Sequence, residues 1–470
     1  MELIGKLAAI VGAGNVLTGE DAAPWGHDWT DSYHSRPLAV VRPGDTGEVS
    51  RVLALANETG TPVVPVGGNT GLSGGTLAEG ALMVSLARLN RIREVRAEAR
   101  VAVAEAGVVL SRMHEAAEAE GLSFPLIFGA RGSATIGGVL STNAGGSNVL
   151  RYGNARALCL GLEVVRADGR VVSLMSALHK DNSGLDLKDL FIGAEGTLGL
   201  ITAAVLRLHP RPRAYATAMV GMREPGPALA LLNRLQDETG GAVEAFEYMP
   251  ESYMRRLAAM KPELAGPFAQ PYPVNILLEI GVTATHEAEP DDSGARPAVT
   301  RLEETLAARM EAGDILDAVV ARSEAQRADL WARREVAAEV SLAHHPLITN
   351  DVALPVDGIE SFLDRVQARL AAVDTDAKTM TVGHLGDGNL HLVVWPSRDE
   401  AALIEAIREA VEAEAVAAGG SFSAEHGIGV AKLGAMRRHK DDAALETMRA
   451  IKAALDPRGI MNPGKVIPEA

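Results

Sequence analysis

The sequence predicts an α+β fold made of two domains and a C-terminal helical segment. Up to about residue 212, short apolar runs of strand length lie between glycine clusters and a few helical stretches. Beyond residue 213, longer strand and helix patterns alternate. A chain of 470 residues also exceeds the usual size of a single domain. We therefore predict domains at 1–212 and 213–425, followed by a segment at 426–470.

In the first domain, apolar runs bounded by turn residues predict strands, and periodic stretches that end near a glycine predict helices. The predicted strands cover residues 62–66, 81–86 and 161–165. The predicted helices cover residues 46–59 and 109–120, and they end near Gly60 and Gly121. Short elements separated by glycine-rich loops indicate a domain built around a ligand that needs close backbone approach.

The second domain alternates strands and helices. Its predicted strands cover residues 215–222, 242–248, 275–282 and 315–322. Its predicted helices cover residues 227–238, 299–311 and 323–343. The acidic stretch with proline and glycine at 289–294 is predicted to be a surface loop. Strands with helices on one face predict a second α+β domain that caps the first.

Composition limits the partners and the compartment. The formal net charge of −16 disfavours a nucleic-acid partner, because such proteins neutralise phosphates with Lys and Arg. Cys159 is the only cysteine, so no intramolecular disulfide can form, and its apolar neighbours predict a core residue. The sequence shows neither an apolar run of about 18 residues nor a convincing secretory signal, so a cytoplasmic protein without a transmembrane segment is expected.

Two histidines, His384 and His391, flank the segment Leu-Gly-Asp-Gly-Asn-Leu. Asp-Gly between apolar residues is a strong signal for a two-residue hairpin turn. With Asp387 and Gly388 in that turn, His384 lies directly opposite His391 on one face of the ladder. The two imidazoles are then close enough to share a ligand. An ordinary structural role for each histidine remains the alternative, since a single strand histidine is more often a core or surface residue.

An adjacent Glu425-His426 pair follows, and it leads into Gly-Ile-Gly. Two imidazoles and a carboxylate make a three-ligand site with an open position, which suits a catalytic divalent metal. His426 beside that carboxylate could move a proton. The same three ligands also fit a non-haem iron(II) oxygenase, so the class of enzyme stays open on these residues alone.

Three glycine-rich segments, at 65–75, 129–146 and 190–202, follow apolar runs in the first domain. Backbone N–H groups that converge in such segments bind anions, especially phosphates, without a cationic side chain. A flexible loop is the ordinary interpretation of one such segment. Three of them in one domain indicate an extended ligand with phosphates and a flat ring system.

In their order and spacing, these segments resemble the FAD-binding domain of the vanillyl-alcohol oxidase and p-cresol methylhydroxylase superfamily. The stretch Leu-Asp-Pro-Arg-Gly-Ile-Met-Asn-Pro-Gly-Lys-Val at 455–466 is similar to its closing motif, whose asparagine lies near the flavin. The resemblance covers nearly the whole chain. It implies a two-part FAD-binding domain of the p-cresol methylhydroxylase type, a ferredoxin-like α+β substrate or cap domain, and a C-terminal segment that returns to the FAD domain.

The resemblance implies FAD as a cofactor, held by residues of the glycine-rich segments and the closing motif. The matching positions are Pro65, Gly67, Gly68, Asn69, Thr70, Gly71, Leu72, Ser133, Gly137, Gly138, Ser141, Asn143, Gly145, Glu195, Gly196, Ile201 and Asn462. Members that attach FAD covalently often have a histidine where this chain has Asn69. Non-covalent FAD is therefore expected.

The histidine hairpin and Glu-His-Gly-Ile-Gly resemble the branch that contains D-2-hydroxyglutarate dehydrogenase, D-lactate dehydrogenase and the glycolate oxidase FAD subunit. The matching positions imply His384, His391 and Glu425 as ligands of zinc or manganese, and His426 as the catalytic base. The segment Trp-Ala-Arg-Arg-Glu resembles one whose arginine, here Arg334, clamps the substrate carboxylate. A planar guanidinium suits bidentate carboxylate binding.

This branch implies oxidation of a D-2-hydroxy acid to the 2-keto acid, with hydride transfer to the flavin N5. D-2-hydroxyglutarate is the first choice of substrate, and D-lactate, glycolate and D-malate are alternatives. With one cysteine there is no cluster of ligands for an iron–sulfur centre, so an external acceptor is implied: an electron-transfer flavoprotein, a quinone or a cytochrome. A homodimer is the expected assembly, and a non-catalytic partner subunit is a further alternative.

One position departs from the branch. In 2-hydroxyglutarate dehydrogenases a lysine commonly stands two residues before the Asp-x-x-x-Pro segment, which is Asp351 to Pro355 here. Thr349 occupies the lysine position. A clamp for a second, distal carboxylate of the substrate is therefore in question.

Overall fold

The computed structural model describes residues 2–29, 31–292 and 294–469. The chain divides into two compact units. Unit 1 contains Met1–Gly145, Gly153–Pro210 and Glu425–Ala470. Unit 2 contains Gly146–Tyr152 and Arg211–Ala424. The predicted loop at 289–294 includes Ser293, which lies outside the described residues.

Unit 1 combines short strands and helices, numbered here in chain order. Its described strands are β1 (Val16–Leu17), β2 (Ala39–Val41), β3 (Val63–Val66), β4 (Leu82–Ser85), β5 (Ile92–Arg96), β6 (Val101–Glu105), β7 (Leu122–Ser123), β8 (Cys159–Val165), β9 (Val171–Leu174), β10 (Leu200–Arg207) and β11 (His209–Pro210). Its described helices are α1 (Glu2–Val11), α2 (Thr46–Thr59), α3 (Leu110–Glu118), α4 (Ile136–Thr142), α6 (Lys188–Phe191), α15 (Leu433–His439) and α16 (Asp442–Leu455).

A small, mostly parallel sheet positions the first glycine-rich segment. Strands β2, β4 and β3 pair in parallel, and β1 adds an antiparallel edge. Every residue of β2 and β4 is buried, as expected for parallel strands covered on both faces. Because β3 ends at Val66, the glycine-rich segment begins directly at the end of a strand in this sheet.

Helix α2 has the bounds that the sequence predicts. Its N-cap is Asp45, whose side chain accepts a hydrogen bond from the backbone N–H of Glu48 at 2.8 Å. Gly60 ends the helix in the left-handed conformation, with φ 67°. Both signals are local in the sequence, which explains why the ends of this helix were predictable.

The second sheet of unit 1 is antiparallel, with strand order β5-β6-β10-β8-β9. Cys159 begins β8 and is 3% exposed. Its thiol donates to the carbonyl of Gly161 at 3.3 Å, and burial raises the pKa of that thiol to about 12. The prediction that Cys159 is a core residue is confirmed.

Unit 2 is built on longer elements. Its described strands are β12 (Ala214–Met222), β13 (Val243–Pro250), β14 (Val274–Val282), β15 (Asp317–Val320), β16 (Ile348–Ala353), β17 (Lys378–His384) and β18 (Asn389–Trp395). Its described helices are α5 (Val149–Tyr152), α7 (Gly226–Thr239), α8 (Glu251–Met260), α9 (Thr285–Ala288), α10 (Pro297–Glu311), α11 (Glu324–Glu335), α12 (Ala337–Leu342), α13 (Ile359–Val373) and α14 (Ala401–Ala417). Across both units, no described helix is long and apolar enough to cross a membrane.

The strands of unit 2 form one antiparallel sheet in the order β15-β12-β14-β13-β17-β18-β16. Its first face packs against α7, α10, α13 and α14 through a large apolar cluster. Its second face packs against α8, α11 and α12 through a smaller one. Helices therefore cover both faces, and the prediction of helices on one face was wrong. The alternation along each strand divides the side chains between the two clusters.

The helix predicted at 323–343 is also divided. Ser323 caps the N-terminus of α11 by accepting from the backbone N–H of Gln326, and a break at Val336 separates α11 from α12. The buried hydroxyl of Tyr253 donates to the carbonyl of Arg333, which an unbroken helix would use for its own bonding. A contact from a distant part of the chain thus binds the helix just before the break at Val336.

Candidate active site

The two hairpin histidines lie on the second face of the unit 2 sheet. The ladder pairs His384 with Asn389 and Val382 with His391. The predicted two-residue turn, with His384 opposite His391, was therefore wrong, because a four-residue turn joins the strands. The longer turn shifts the pairing of the strands by two residues. Because side chains alternate between faces with a period of two, each one stays on its predicted face. His384 and His391 are consequently diagonal neighbours on one face.

The rings of His384 and His391 are close and edge-to-face. Their centroids are 5.5 Å apart, with an interplanar angle of 84°. One ring nitrogen of His384 lies within 4.8 Å of one ring nitrogen of His391. The structure therefore brings the two predicted ligands together by a different register from the one predicted.

Packing against the neighbouring strand explains the wider turn. The backbone N–H of Leu354 donates to the carbonyl of Gly388 at 3.0 Å. A Cβ atom on Gly388 would lie 2.0 Å from the carbonyl oxygen of Leu354, and its φ is 84°. Only glycine suits this position, in both space and conformation. The end of β16 therefore fixes where the turn closes.

Each histidine is backed by a buried carboxylate. Nδ1 of His384 lies 2.8 Å from Oε1 of Glu247, and Nδ1 of His391 lies 3.6 Å from Oδ1 of Asp351. The two acids are 1% and 2% exposed. The hydrogen bond between His384 and Glu247 favours the tautomer with the proton on Nδ1 of His384, which leaves the lone pair on its Nε2. Metal-ligating histidines usually have such a partner, so these donors fit a divalent cation.

Arg334 reaches the same region from helix α11. Its Nε lies 2.8 Å from Oε2 of Glu247, in the geometry of an ion pair rather than an aligned hydrogen bond. Burial acts to raise the pKa of Glu247, but the neighbouring His384 and Arg334 outweigh burial and hold that pKa below its usual range. One buried carboxylate thus contacts both the predicted metal ligand and the predicted substrate clamp.

Thr349 lies on β16, two residues from Asp351 on the same face of the strand. It pairs with Val393, just as Asp351 pairs with His391. Thr349 is exposed, whereas Val393 is buried. The cross-strand pair next to the histidine site therefore carries no charge.

In unit 1, the first two glycine-rich segments approach each other at backbone distance. A Cβ atom on Gly67 would lie 2.4 Å from Oγ1 of Thr135, and one on Gly68 would lie 2.0 Å from the carbonyl oxygen of Ser133. In contrast, a Cβ atom on Gly71 would meet nothing within 4 Å. The first two glycines serve close packing, and the third borders open space.

The third glycine-rich segment packs against the first two. A Cβ atom on Gly196 would lie 2.3 Å from Cγ of Pro65. The backbone N–H of Glu195 donates to the carbonyl of Ser141 at 2.8 Å. Gly196 has φ 76° and Glu195 has φ 49°, so both lie in the left-handed region. The three glycine-rich segments therefore meet in unit 1, although each begins about 60 residues after the one before it in the sequence.

The closing motif joins these segments through Asn462. Its Nδ2 donates to the carbonyl of Gly75 at 3.1 Å and to that of Glu195 at 2.7 Å. Among the described residues, the buried Oδ1 of Asn462 and Oγ1 of Thr135 have no hydrogen-bond partner. Buried polar atoms without a partner are unusual in a folded protein. Glycine-lined backbone and orphaned oxygens fit a bound cofactor such as FAD.

Several predicted cofactor residues direct their side chains to internal bonds. Nδ2 of Asn69 donates to the carbonyl of His27 at 2.9 Å, and Oγ of Ser141 donates to the carbonyl of Gly137 at 2.7 Å. Oδ1 of Asn143 accepts from the backbone N–H of Arg156 at 3.0 Å. What these residues offer a ligand is the shape of their backbone. The other predicted positions are also in unit 1, on the loop after β3, on or just after α4, and on β10: Thr70, Leu72, Gly138, Gly145 and Ile201.

The carboxylate of Glu195 holds the segment that carries His426. It accepts from the backbone N–H of Ile428 at 2.7 Å and from that of Gly429 at 3.0 Å. Oγ of Ser73 donates to the carbonyl of His426 at 3.0 Å. Glu195 was predicted as a cofactor residue, and its side chain positions the loop after the predicted base.

Glu425 stands at the boundary of the two units. In unit 1, a Cβ atom on Gly145 would lie 2.4 Å from Oε1 of Glu425, so the carboxylate packs on a glycine backbone. In unit 2, the preceding residue Ala424 donates its backbone N–H to the carboxylate of Asp351 at 3.2 Å. Ala424, the last residue of unit 2, is therefore hydrogen-bonded to Asp351, the acid beside His391.

Sequence reasoning missed the role of Glu247. It is the second-last residue of the predicted strand at 242–248, where two acids interrupt an apolar run. That interruption is the signal that could have indicated a buried functional acid. Its partner His384 is 137 residues away, so the pairing itself had no local signature.

Comparisons with known proteins agree with this geometry. Residues 37–175 match the family described as "FAD binding domain", and residues 211–466 match "FAD linked oxidases, C-terminal domain". A D-2-hydroxyglutarate dehydrogenase of Xanthomonas citri pv. viticola is 36% identical, over 95% of this chain and 92% of its own length. A mitochondrial D-2-hydroxyglutarate dehydrogenase of Bos taurus is 36% identical, over 97% of this chain and 81% of its own length. A solved structure of p-cresol methylhydroxylase superposes with a TM-score of 0.75 at 14% identity, covering 99% of this chain and 96% of that one, which shows a shared fold.

Proposed function

This chain belongs to the FAD-linked oxidases and is an FAD-dependent oxidoreductase, and from that premise we propose that it oxidises a D-2-hydroxy acid to the 2-keto acid. The observation that carries the proposal is the pair His384 and His391 on one sheet face, each backed by a buried carboxylate. Membership in this family disfavours the alternative of a non-haem iron oxygenase, which would leave the glycine-rich segments unexplained.

We propose that His384, His391 and Glu425 hold a divalent metal, zinc in the first place and manganese as the alternative. Support comes from the chemistry of the donor set and from the bond between Ala424, the residue before Glu425, and Asp351, the acid beside His391. When bound, the metal supplies Lewis-acid polarisation of the substrate hydroxyl, and FAD supplies the hydride acceptor. Three protein ligands leave a position for the substrate, as catalytic sites require.

In this proposal Arg334 and His426 act directly on the substrate. Arg334 binds its carboxylate, for which a planar guanidinium is suited. His426 removes the hydroxyl proton, and a positioned base of this kind contributes about 10²–10⁴-fold to the rate. The bonds that hold the backbone of the His426 segment to Ser73 and Glu195 support a fixed base. FAD is held without a covalent bond, since Asn69 carries no nucleophilic ring.

Two observations bear on the substrate. D-2-hydroxyglutarate is the first candidate, because two relatives of that name are 36% identical over nearly the whole chain. A shorter acid such as D-lactate, glycolate or D-malate is the second candidate. It is favoured by the uncharged Thr349–Val393 pair next to the histidine site, where a second carboxylate would need a cation.

Electrons must leave the reduced cofactor for an external acceptor, which we propose to be an electron-transfer flavoprotein, a quinone or a cytochrome. The single cysteine supports this, because the chain lacks the ligands of an iron–sulfur cluster. We also propose a cytoplasmic location and a homodimer. A buried, unpaired Cys159 is in keeping with a reducing compartment.

A dye-coupled screen of the purified protein tests the function. D- and L-2-hydroxy acids are offered as substrates, after chelation and after addition of zinc or manganese. We expect a yellow protein that oxidises D-acids only, loses activity on chelation, and releases its flavin on acid precipitation. Oxidation that is indifferent to chelation would overturn the metal assignment. Absence of turnover with every hydroxy acid would favour the alternative of a non-catalytic subunit.

A further inference from the structure

Glu247 is a buried acid in contact with two of the predicted site residues. It lies on β13 directly opposite His384 on β17, and the ladder places both side chains on the second face of the sheet. Glu247 is 1% exposed. Its Oε1 lies 2.8 Å from Nδ1 of His384, and its Oε2 lies 2.8 Å from Nε of Arg334. Each oxygen of one carboxylate is therefore occupied by a different functional side chain.

The two partners of Glu247 arrive from different elements. His384 stands at the end of β17, whereas Arg334 comes from α11, which packs on the same face of the sheet. Their side chains are 12% and 13% exposed. The carboxylate of Glu247 contacts both side chains and so links the position of one to that of the other.

We propose that Glu247 is a positioning residue that sets the ring of His384 for the metal and the guanidinium of Arg334 for the substrate carboxylate. The inference rests on the proposed function of those two residues. It adds that metal binding and substrate binding share one buried acid, so a single substitution at 247 weakens both.

Glu247 acts on its two partners in different ways. By accepting the proton of Nδ1, Glu247 keeps the lone pair of His384 on Nε2, where a cation binds, and loss of such a partner typically lowers metal affinity about 10–100-fold. The same acid also neutralises Arg334. Without it a mostly buried guanidinium lacks its counter-charge and turns to another acceptor, which removes it from the position that binds substrate.

Glu279 offers a matched control in the same unit. It lies on the adjacent strand β14 and is 3% exposed. Its carboxylate accepts from Nε and Nη2 of Arg327 at 2.6 and 2.7 Å, and from Nε1 of Trp331 at 2.8 Å. Arg327 and Trp331 belong to α11, as Arg334 does. Glu279 is thus a buried acid that binds the same helix, and its hydrogen-bond partners among the described residues include no histidine.

The experiment compares Glu247→Gln and Glu247→Asp with Glu279→Gln and Glu279→Asp in the full chain with FAD bound. Zinc affinity is measured by competition with a chelator, and KM and kcat are measured for the best hydroxy acid. We expect both Glu247 variants to lose about 10–100-fold in zinc affinity and to raise KM. The Asp variant retains the charge but is shorter by about 1.5 Å, so it cannot reach both partners. The Glu279 variants should keep the zinc affinity and KM of the wild type.

The outcomes separate this inference from the proposed function. If the wild type binds zinc and oxidises a hydroxy acid, and His384→Ala loses the zinc, the proposed function stands. Zinc affinity and KM in both Glu247 variants equal to those of the Glu279 variants would then overturn the role of Glu247 alone. Should Glu247→Gln fail to fold, Glu247→Asp decides the matter, because a wild-type zinc affinity in that variant also overturns the role. A wild type that binds no zinc contradicts the proposed metal site itself.

Discussion

Oε1 of Glu195 accepts a hydrogen bond from the backbone N–H of Ile428 at 2.7 Å. The residues are 233 positions apart, and the bond ties the third glycine-rich segment to the loop that follows His426. Glu195 is itself in the left-handed region, with φ 49°. A strained residue held at this place indicates that the position of the loop matters to the protein.

The stability of unit 1 should depend on pH through Glu195. Burial raises the pKa of Glu195 above its usual 4.5, although bonds to Ile428 and Gly429 act against burial. The folded state then binds more protons than the unfolded state, so the contribution of this group to stability falls as pH rises above 4.5. We expect Glu195→Gln to remove that part of the slope. Denaturant unfolding of both proteins from pH 4.5 to neutrality measures it, and equal slopes would contradict the prediction.

Gly68→Ala and Gly71→Ala should behave differently although they lie on one loop. The new Cβ atom at 68 would lie 2.0 Å from the carbonyl of Ser133, whereas the one at 71 meets nothing within 4 Å. We expect Gly68→Ala to destabilise flavin-free protein by about 1–3 kcal/mol, the cost of overpacking. Gly71→Ala should stay within about 0.5 kcal/mol of the wild type. The measurement is chemical unfolding of the flavin-free proteins, and equal losses in both would refute the difference.

How far the sequence could predict this protein depends on how local each signal is. The bounds of α2 were predictable because Asp45 and Gly60 cap it from adjacent positions. The face shared by His384 and His391 was predictable from strand alternation. Their register was not, because packing of Gly388 on Leu354 decides the length of the turn.

Long-range contacts explain the remaining differences. The helix predicted at 323–343 breaks where the hydroxyl of Tyr253 takes the carbonyl of Arg333, 80 residues away. The pairing of Glu247 with His384 likewise depends on β13 and β17 becoming neighbours in the sheet. Periodicity in one sequence indicates which side chains share a face, but it does not indicate which strands will pair.

His384→Ala and His391→Ala should each lose bound metal and most of the activity. Loss of Lewis-acid polarisation removes several kcal/mol of transition-state stabilisation, which corresponds to about 10²–10⁴-fold in kcat. Metal content by elemental analysis and dye-coupled turnover are the measurements. His114→Ala is the control, because His114 lies in unit 1, where its Nε2 lies 3.0 Å from the backbone carbonyl of Leu126. Full metal content in both hairpin variants would show that the ligands lie elsewhere.

Arg334→Lys should lower kcat/KM about 10–100-fold, mainly through KM. A hydrogen bond to a charged group is worth about 1.5–3 kcal/mol, and an ammonium cannot reproduce the bidentate geometry. The neighbouring Arg333→Lys is the control, since that guanidinium bonds Asp329 at 2.8 Å and the carbonyl of Gly266 at 2.9 Å. We expect it to lower the thermal midpoint and leave KM unchanged. Steady-state kinetics distinguish the two, and an unchanged kcat/KM in Arg334→Lys would place the carboxylate clamp on another residue.

Thr349→Lys should shift the substrate preference toward dicarboxylic hydroxy acids. The side chain at 349 is exposed and lies one cross-strand pair from Asp351 and His391, so a lysine there adds a cation beside the site. A charged hydrogen bond of about 1.5–3 kcal/mol predicts a 10–100-fold gain in kcat/KM for D-2-hydroxyglutarate relative to D-lactate. Thr375→Lys, exposed on the loop after α13, adds the same charge elsewhere and should leave the ratio unchanged. If Thr349→Lys leaves the ratio unchanged as well, the distal end of the substrate does not lie over β16, and its recognition must come from another element.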